Sequence, residues 1–130
     1  MLVLLDNALF VFHALWIAFN MTGWAFRRTR LLHLATMAAT ACSWFVLGAF
    51  YGWEYCLCTD WHFQIRRQLG YRDEATNYIQ LLAKPVGLSL TAAQSEWIAW
   101  IVFVLILAAM AVAWTRAALR RAAAAVHGRQ

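Results

Sequence analysis

The sequence predicts an all-α integral membrane protein with three transmembrane helices, its N-terminus outside and its C-terminus inside. Three observations predict it. Residues 2–26, 31–51 and 96–116 are apolar runs, each close to the ~20 residues a helix needs to cross a hydrocarbon core. The chain is 64% hydrophobic and only 13% charged, which excludes a water-soluble globule. Finally, the charges sort by side. Arg27, Arg28, Arg30, Arg116, Arg120, Arg121 and Arg129, seven of the eleven basic residues, fall in the first loop and the C-terminal tail. All six acidic residues, Asp6, Glu54, Asp60, Asp73, Glu74 and Glu96, fall at the N-terminal end, in the second loop or at the outer end of the third run. Arginine-rich loops stay in the cytoplasm, so the loop 52–95 is assigned to the outer side.

The first run is read as a retained span. It lacks a basic start, carries Asp6, Asn7, His13 and Asn20, and ends in arginines rather than small residues. The turn Arg27-Arg28-Thr29-Arg30 is too short for anything but an antiparallel hairpin into the second span. Trp24 and Trp114 at one interface and Trp53 and Trp97 at the other agree with this placement. Trp16 and Trp44 are deeper, as packing or lipid-facing residues.

The outer loop predicts two short helices near the membrane surface. Thr59 is the expected cap of the first, which carries Trp61, Ile65 and Leu69 on one face and stops at Gly70. Asp73 or Glu74 starts the second, Tyr78, Ile79, Leu81 and Leu82 form its apolar part, and Pro85 with Gly87 ends it. A four-span alternative, or a re-entrant segment, would take residues 76–90 into the bilayer, but that run is short and contains Lys84 and Pro85. Thr91-Ala92-Ala93-Gln94 has capping-box spacing before the third span. The Ala-rich tail 117–130 continues that helix into the cytoplasm and frays from Gly128. The chain forms one membrane domain, 1–130.

The polar residues inside the spans form stripes. Asp6, His13 and Asn20 recur every seven residues along one side of the first helix. His33, Thr36, Thr40 and Ser43 make a seam on the second, beside Ala38, Ala39 and Ala41, small enough for close backbone approach. The two stripes are expected to face each other or the third helix. His13 is either a ligand for haem or a pigment magnesium, a proton-transfer group, or a hydrogen-bonded interhelical residue. His33 does not complete a two-histidine haem site, because it lies ~15–20 Å from His13 along the membrane normal at 1.5 Å per residue.

The densest chemistry is Cys56, Cys58, Asp60 and His62, bracketed by Trp53 and Trp61. Two thiols, an imidazole and a carboxylate within seven residues suit zinc or copper. Asp6 or Glu54 would then be the nearest fourth ligand. The same residues also fit a redox-active thiol pair, or a structural role in which Cys56 and Cys58 pair or are buried. Cys42, inside the second span, is expected to be a small buried hydrophobe. The sequence shows no serine triad, phosphate-cradling glycine loop or His-Glu-x-x-His helix.

The run Phe50-Tyr51-Gly52-Trp53-Glu54-Tyr55-Cys56-Leu57-Cys58-Thr59-Asp60-Trp61-His62 resembles a small bacterial membrane family catalogued as domain of unknown function 2784. Arg66, Arg67, Leu69, Gly70 and Asn77-Tyr78-Ile79 carry the likeness further, as do Phe12-His13, Asn20, Gly23-Trp24 and Ser43-Trp44-Phe45. The resemblance covers about residues 5–90. The broader family carries Cys-Pro-Leu-Thr and then a glutamate where this chain has Cys56, Leu57, Cys58, Thr59 and His62, so only Cys56 and Thr59 are common to both patterns. The resemblance implies a bacterial inner membrane, with the outer loop periplasmic, and it fixes topology rather than activity.

The function these features predict is non-enzymatic: an accessory or scaffolding subunit of a larger membrane complex, with respiratory and photosynthetic assemblies as the candidates. Its partners are membrane lipid and other membrane proteins. Nucleic acid is not among them, since the net charge of +5 sits at helix ends, where anionic head groups account for it. A chain this small is expected to leave little room for an enclosed substrate cavity within one protomer. The alternative is an outward-facing metal-binding or thiol-redox protein using Cys56, Cys58 and His62. A lipid-handling role for the outer helices rests on Arg66, Arg67 and Lys84.

Overall fold

Three long apolar helices set the architecture. In the computed structural model, which describes residues 1–72 and 75–127, they are α1 (Leu2–Thr22), α2 (Arg30–Tyr51) and α5 (Ala92–His127). All three are long and apolar enough to cross a membrane, and no fourth such helix occurs among the described residues. Between α2 and α5 lie two short helices, α3 (Leu57–Gln68) and α4 (Tyr78–Ala83), the latter running into a 3-10 turn at Lys84–Val86. No strand is present among the described residues.

Boundaries differ from the sequence expectation where side chains take over backbone groups. The first span ends at Thr22, not residue 26. Past it, the Trp24 indole donates to Met21 O, Thr29 Oγ1 to Gly23 O, and Arg30 Nε to Trp24 O. These bonds wind residues 23–29 into tight turns instead of helix. Gly23 fits there because a Cβ would lie 2.9 Å from both His33 Cδ2 and Phe19 O. At the other end, Thr91 and Gln94 form the predicted capping box, each side chain bonding the other's backbone N–H at 3.2 and 2.9 Å.

The helix α2 is α-helical to Ala41, π-helical from Cys42 to Leu47, and α-helical again over Gly48–Tyr51. Wider turns of this kind mark a local insertion in the helical register. Here the segment aims Trp44 at α5, with ring centroids 5.0 Å from Phe103 and 5.7 Å from Trp100. Met37, Phe103 and Ile106 form the buried apolar core beside it.

Cys56, in an extended conformation, is the N-cap of α3, and the cap makes no side-chain hydrogen bond. Thr59, the expected cap, sits inside the helix and points to α1. Gly70 (φ 82°) ends α3 as predicted, with Tyr71 N–H donating to Arg66 O and Gly70 N–H to Arg67 O. That bond pair is the Schellman arrangement. Asn77 caps α4 by accepting from Gln80 N–H, while the proposed starters Asp73 and Glu74 lie outside the described residues, as do Gly128 and Arg129 in the tail. Gly87, with φ of 77°, closes the end of α4. Asn77 Nδ2 reaches Ser95 Oγ at 2.6 Å and docks α4 on the start of α5.

The short helices do not simply lie above the spans. Thr59 in α3 and Tyr78 in α4 both contact His13, about 17 Å along α1 from its first residue at 1.5 Å per residue. In α3 the face turned to α1 carries Thr59, His62 and Arg66, whereas Trp61 on the expected apolar face is exposed.

Candidate functional site

The stripe on α1 organises everything nearby, and its three residues meet three different neighbours. Asp6 is 6% exposed. Its Oδ1 accepts from His62 Nε2 at 2.8 Å and lies 3.4 Å from Arg66 Nη1. A carboxylate so removed from water needs such partners. His62 and Arg66 stand four residues apart, so one turn of α3 presents both to Asp6.

His13 meets the loop rather than α2. Its ring stacks on Tyr78 with centroids 3.9 Å apart and planes 11° from parallel. Thr59 Oγ1 is 3.4 Å from Nδ1, and Cys56 Sγ is 4.0 Å from Nε2, the outer limit for a sulfur hydrogen bond. Both ring nitrogens therefore face protein groups. Tyr78 donates its hydroxyl to Phe10 O, and burial pushes its phenol up to about 12.

Only the third stripe residue joins the seam on α2; Asp6 and His13 meet α3 and α4 instead. Asn20 Nδ2 donates to Thr40 Oγ1 at 3.1 Å, Trp16 Nε1 reaches the same oxygen at 3.2 Å, and His33 Nε2 lies 2.8 Å from Asn20 O. Thr36 bonds back to His33 O. Ser43 turns away from α1 and donates to Tyr55 O at 2.9 Å, which ties the loop to the middle of α2. The alanines contribute less than expected: Ala38 and Ala39 are exposed.

The cluster that is dense in sequence disperses in space. His62 faces Asp6, Cys56 faces His13, and Asp60 Oδ2 accepts from Tyr55 Oη at 3.0 Å and Gln64 Nε2 at 2.9 Å. One helical turn is enough to aim these side chains in different directions. Among the described residues no group of three His, Cys, Asp or Glu side chains converges to hold a metal ion. All three cysteines are free thiols. Burial, and then the neighbouring Cys56, raises the Cys58 thiol above its ordinary value, opposing the thiolate that metal or redox chemistry needs. Cys42 is exposed, not buried.

An open cleft of about 1360 Å³ lies between the spans and the loop. His13, Cys56, Thr59 and Arg67 line its polar part, and Met37, Phe103 and Ile106 its apolar part. Glu54, on its lining, adopts φ 63°. Burial first, and the Glu96 carboxylate second, raise Glu54 to about 7, against a lowering hydrogen bond from Trp100.

Two contributors escaped the sequence reading: Tyr78, read only as part of the apolar run of its helix, and Ser95. Tyr78 left a signal, a phenol at the start of α4.

A family model described as "Protein of Unknown function (DUF2784)" matches residues 3–119. The chain belongs to this family. The match extends past the likeness seen in residues 5–90 and takes in most of α5. No curated protein and no solved structure matches the chain.

Proposed function

We propose that this member of the family is a non-enzymatic accessory or scaffolding subunit of a larger assembly in the bacterial inner membrane, with the loop end periplasmic and the arginine-rich end cytoplasmic. The observation that carries the reading is the length and bareness of α5. Its 36 residues span ~54 Å at 1.5 Å per residue, far beyond a ~30 Å hydrocarbon core. Every residue from Ala118 to Val126 is exposed, with Leu119, Ala122, Ala123 and Val126 spaced along one stripe, Arg116 at its edge and Arg120 and Arg121 outside it. A helical arm with an apolar stripe and basic flanks suits an acidic-flanked helix of a neighbouring subunit. Respiratory and photosynthetic complexes remain the candidate hosts.

The test is native electrophoresis of gently solubilised membranes. A discrete larger assembly is expected, from which Leu119→Glu together with Arg120→Glu releases the protein, while Cys56→Ser and His62→Ala leave it in place. A protein that migrates alone from its native membrane, or an assembly indifferent to the α5 changes, would overturn the reading.

A second reading, a thiol protein, is supported by one contact: Cys56 Sγ at the start of α3, 4.0 Å from His13 Nε2. It predicts that a thiol reagent reacts with Cys56 faster than with Cys58, and that His13→Ala slows that reaction. Equal rates for the two thiols would remove its support.

A further inference from the structure

We propose that the cleft binds one phospholipid of the surrounding bilayer, with its phosphate at Arg67 and Arg72 and its acyl chains against Met37, Val102, Phe103 and Ile106. The site is separate from the exposed arm of α5 on which the subunit reading rests.

Four observations lead to this occupant. The first is size: about 1360 Å³ exceeds the ~300–1,000 Å³ usual for small-molecule pockets and suits a ligand with long chains. The second is access. Cys42 lies near the middle of α2, lines the cleft and is exposed, so the cleft is open at the depth where acyl chains lie. The third is polarity. The inner end is lined by the core residues Met37, Phe103 and Ile106, while hydroxyl, imidazole and guanidinium groups gather toward α3 and the chain that follows it.

The fourth is charge. Arg66 is turned to Asp6 and lies 4.7 Å over the Tyr71 ring, which leaves Arg67 on the cleft side of α3. Arg72 lines the same cleft, and both arginines are exposed. Among the described residues neither forms an ion pair, and the nearby Asp60 carboxylate is engaged by Tyr55 and Gln64. Guanidinium groups bind phosphate oxygens through parallel charge-assisted hydrogen bonds. Glu54 and Glu96 also line the cleft; Glu96 stands on α5, and the cleft therefore meets the head group with opposite charges from separate elements. A cleft open within the bilayer meets phospholipid first, at very high local concentration.

The test is native mass spectrometry of the purified full chain with phosphatidylglycerol, phosphatidylethanolamine and a diacylglycerol carrying the same acyl chains. A single phospholipid adduct is expected for either phosphate-bearing lipid, and little or none for the diacylglycerol. Replacing both arginines (Arg67→Ala, Arg72→Ala) should lower retention about tenfold or more, the effect of losing a charge-assisted hydrogen bond. Val102→Trp, which narrows the apolar part of the cleft, should also lower it, and Leu105→Trp on the exposed face should not. Excess inorganic phosphate should leave the adduct in place. Absence of any adduct, equal retention of the diacylglycerol, indifference to the arginine changes, or displacement by inorganic phosphate would each overturn the proposal. Because the arginines and Leu105 are exposed, unchanged helicity and melting in these variants separate lost binding from lost folding.

Discussion

The helices α1 and α5 are both strongly apolar, with mean hydropathy 1.9 and 2.5 over their most apolar windows, and in each window only 11% of residues are buried. Yet they bury opposite chemistry. The buried residues of α1 are Asp6, His13 and Asn20, all polar. Those of α5 include Phe103 and Ile106, packed with Met37 and the tryptophans. In a bilayer the lipid tails are as apolar as leucine, so apolar surface gains little by leaving them. Polar groups gain more, and α1 therefore collects its neighbours through them. The lesson is that position along this chain is set by where its polar side chains find partners, while the aromatic cluster against α5 supplies shape.

The comparison breaks most severely at Asp6. Asp6→Ala leaves His62 and Arg66 without their carboxylate and should cost about 3–5 kcal/mol, the range for breaking a buried ion pair. Thermal melting in detergent checks it, and an Asp6→Ala protein that melts like the parent would show that the stripe does not hold α3. Next is Gly23→Ala, whose Cβ meets Phe19 O and His33 at 2.9 Å. About 1–3 kcal/mol should be lost, as for other overpacked sites, with the turn 23–29 the first region to lose hydrogen-exchange protection. Tyr78→Phe removes the bond to Phe10 O and should cost about 1 kcal/mol while keeping the stack on His13.

Acid–base behaviour gives a smaller signal. Glu54 rises from an ordinary 4.5 to about 7, so the folded state favours the neutral carboxyl. Its surroundings should be tightest below pH 4.5 and loosen as pH climbs from there through 7, read as a change in tryptophan emission from Trp53 and Trp100. Glu54→Gln should flatten that profile. At the far end, Leu105→Ala on α5, 62% exposed, should change stability by less than about 0.5 kcal/mol. A large loss there would mean that α5 packs on something this chain does not contain.

Much of the fold was legible because it depends on local chemistry. Apolar length gave the three spans, Thr91 and Gln94 announced a capping box, and Gly70 and Gly87 marked helix ends through their backbone freedom. The site was legible only as a list of residues. The seven-residue spacing of Asp6, His13 and Asn20 correctly put them on one side of α1, but spacing says nothing about which neighbour covers that side. Cys56, Cys58, Asp60 and His62 looked like a cluster because they are close in sequence. On a helix, though, closeness in sequence distributes side chains around the axis, and long-range partners decide which way each one matters.

The wide turn over Cys42–Leu47 has a consequence for how this protein tolerates change. A π-helical turn holds an extra residue, so deleting one residue from it would restore a regular α-helix rather than break one. The helix would survive, and the residues beyond it would keep nearly their present facing, because one residue fewer is offset by the larger turn each α-helical residue makes. Gly48, whose Cβ position lies 3.5 Å from Trp53 Cα, would stay against the chain it supports. The wide turn is therefore a reserve of length that the regular helix α1 lacks, where losing one residue turns everything beyond it by about 100°. A single-residue deletion at Val46 should leave helix content and the contact of the loop with His13 intact, whereas deletion of Leu15 should turn Asn20 away from Thr40.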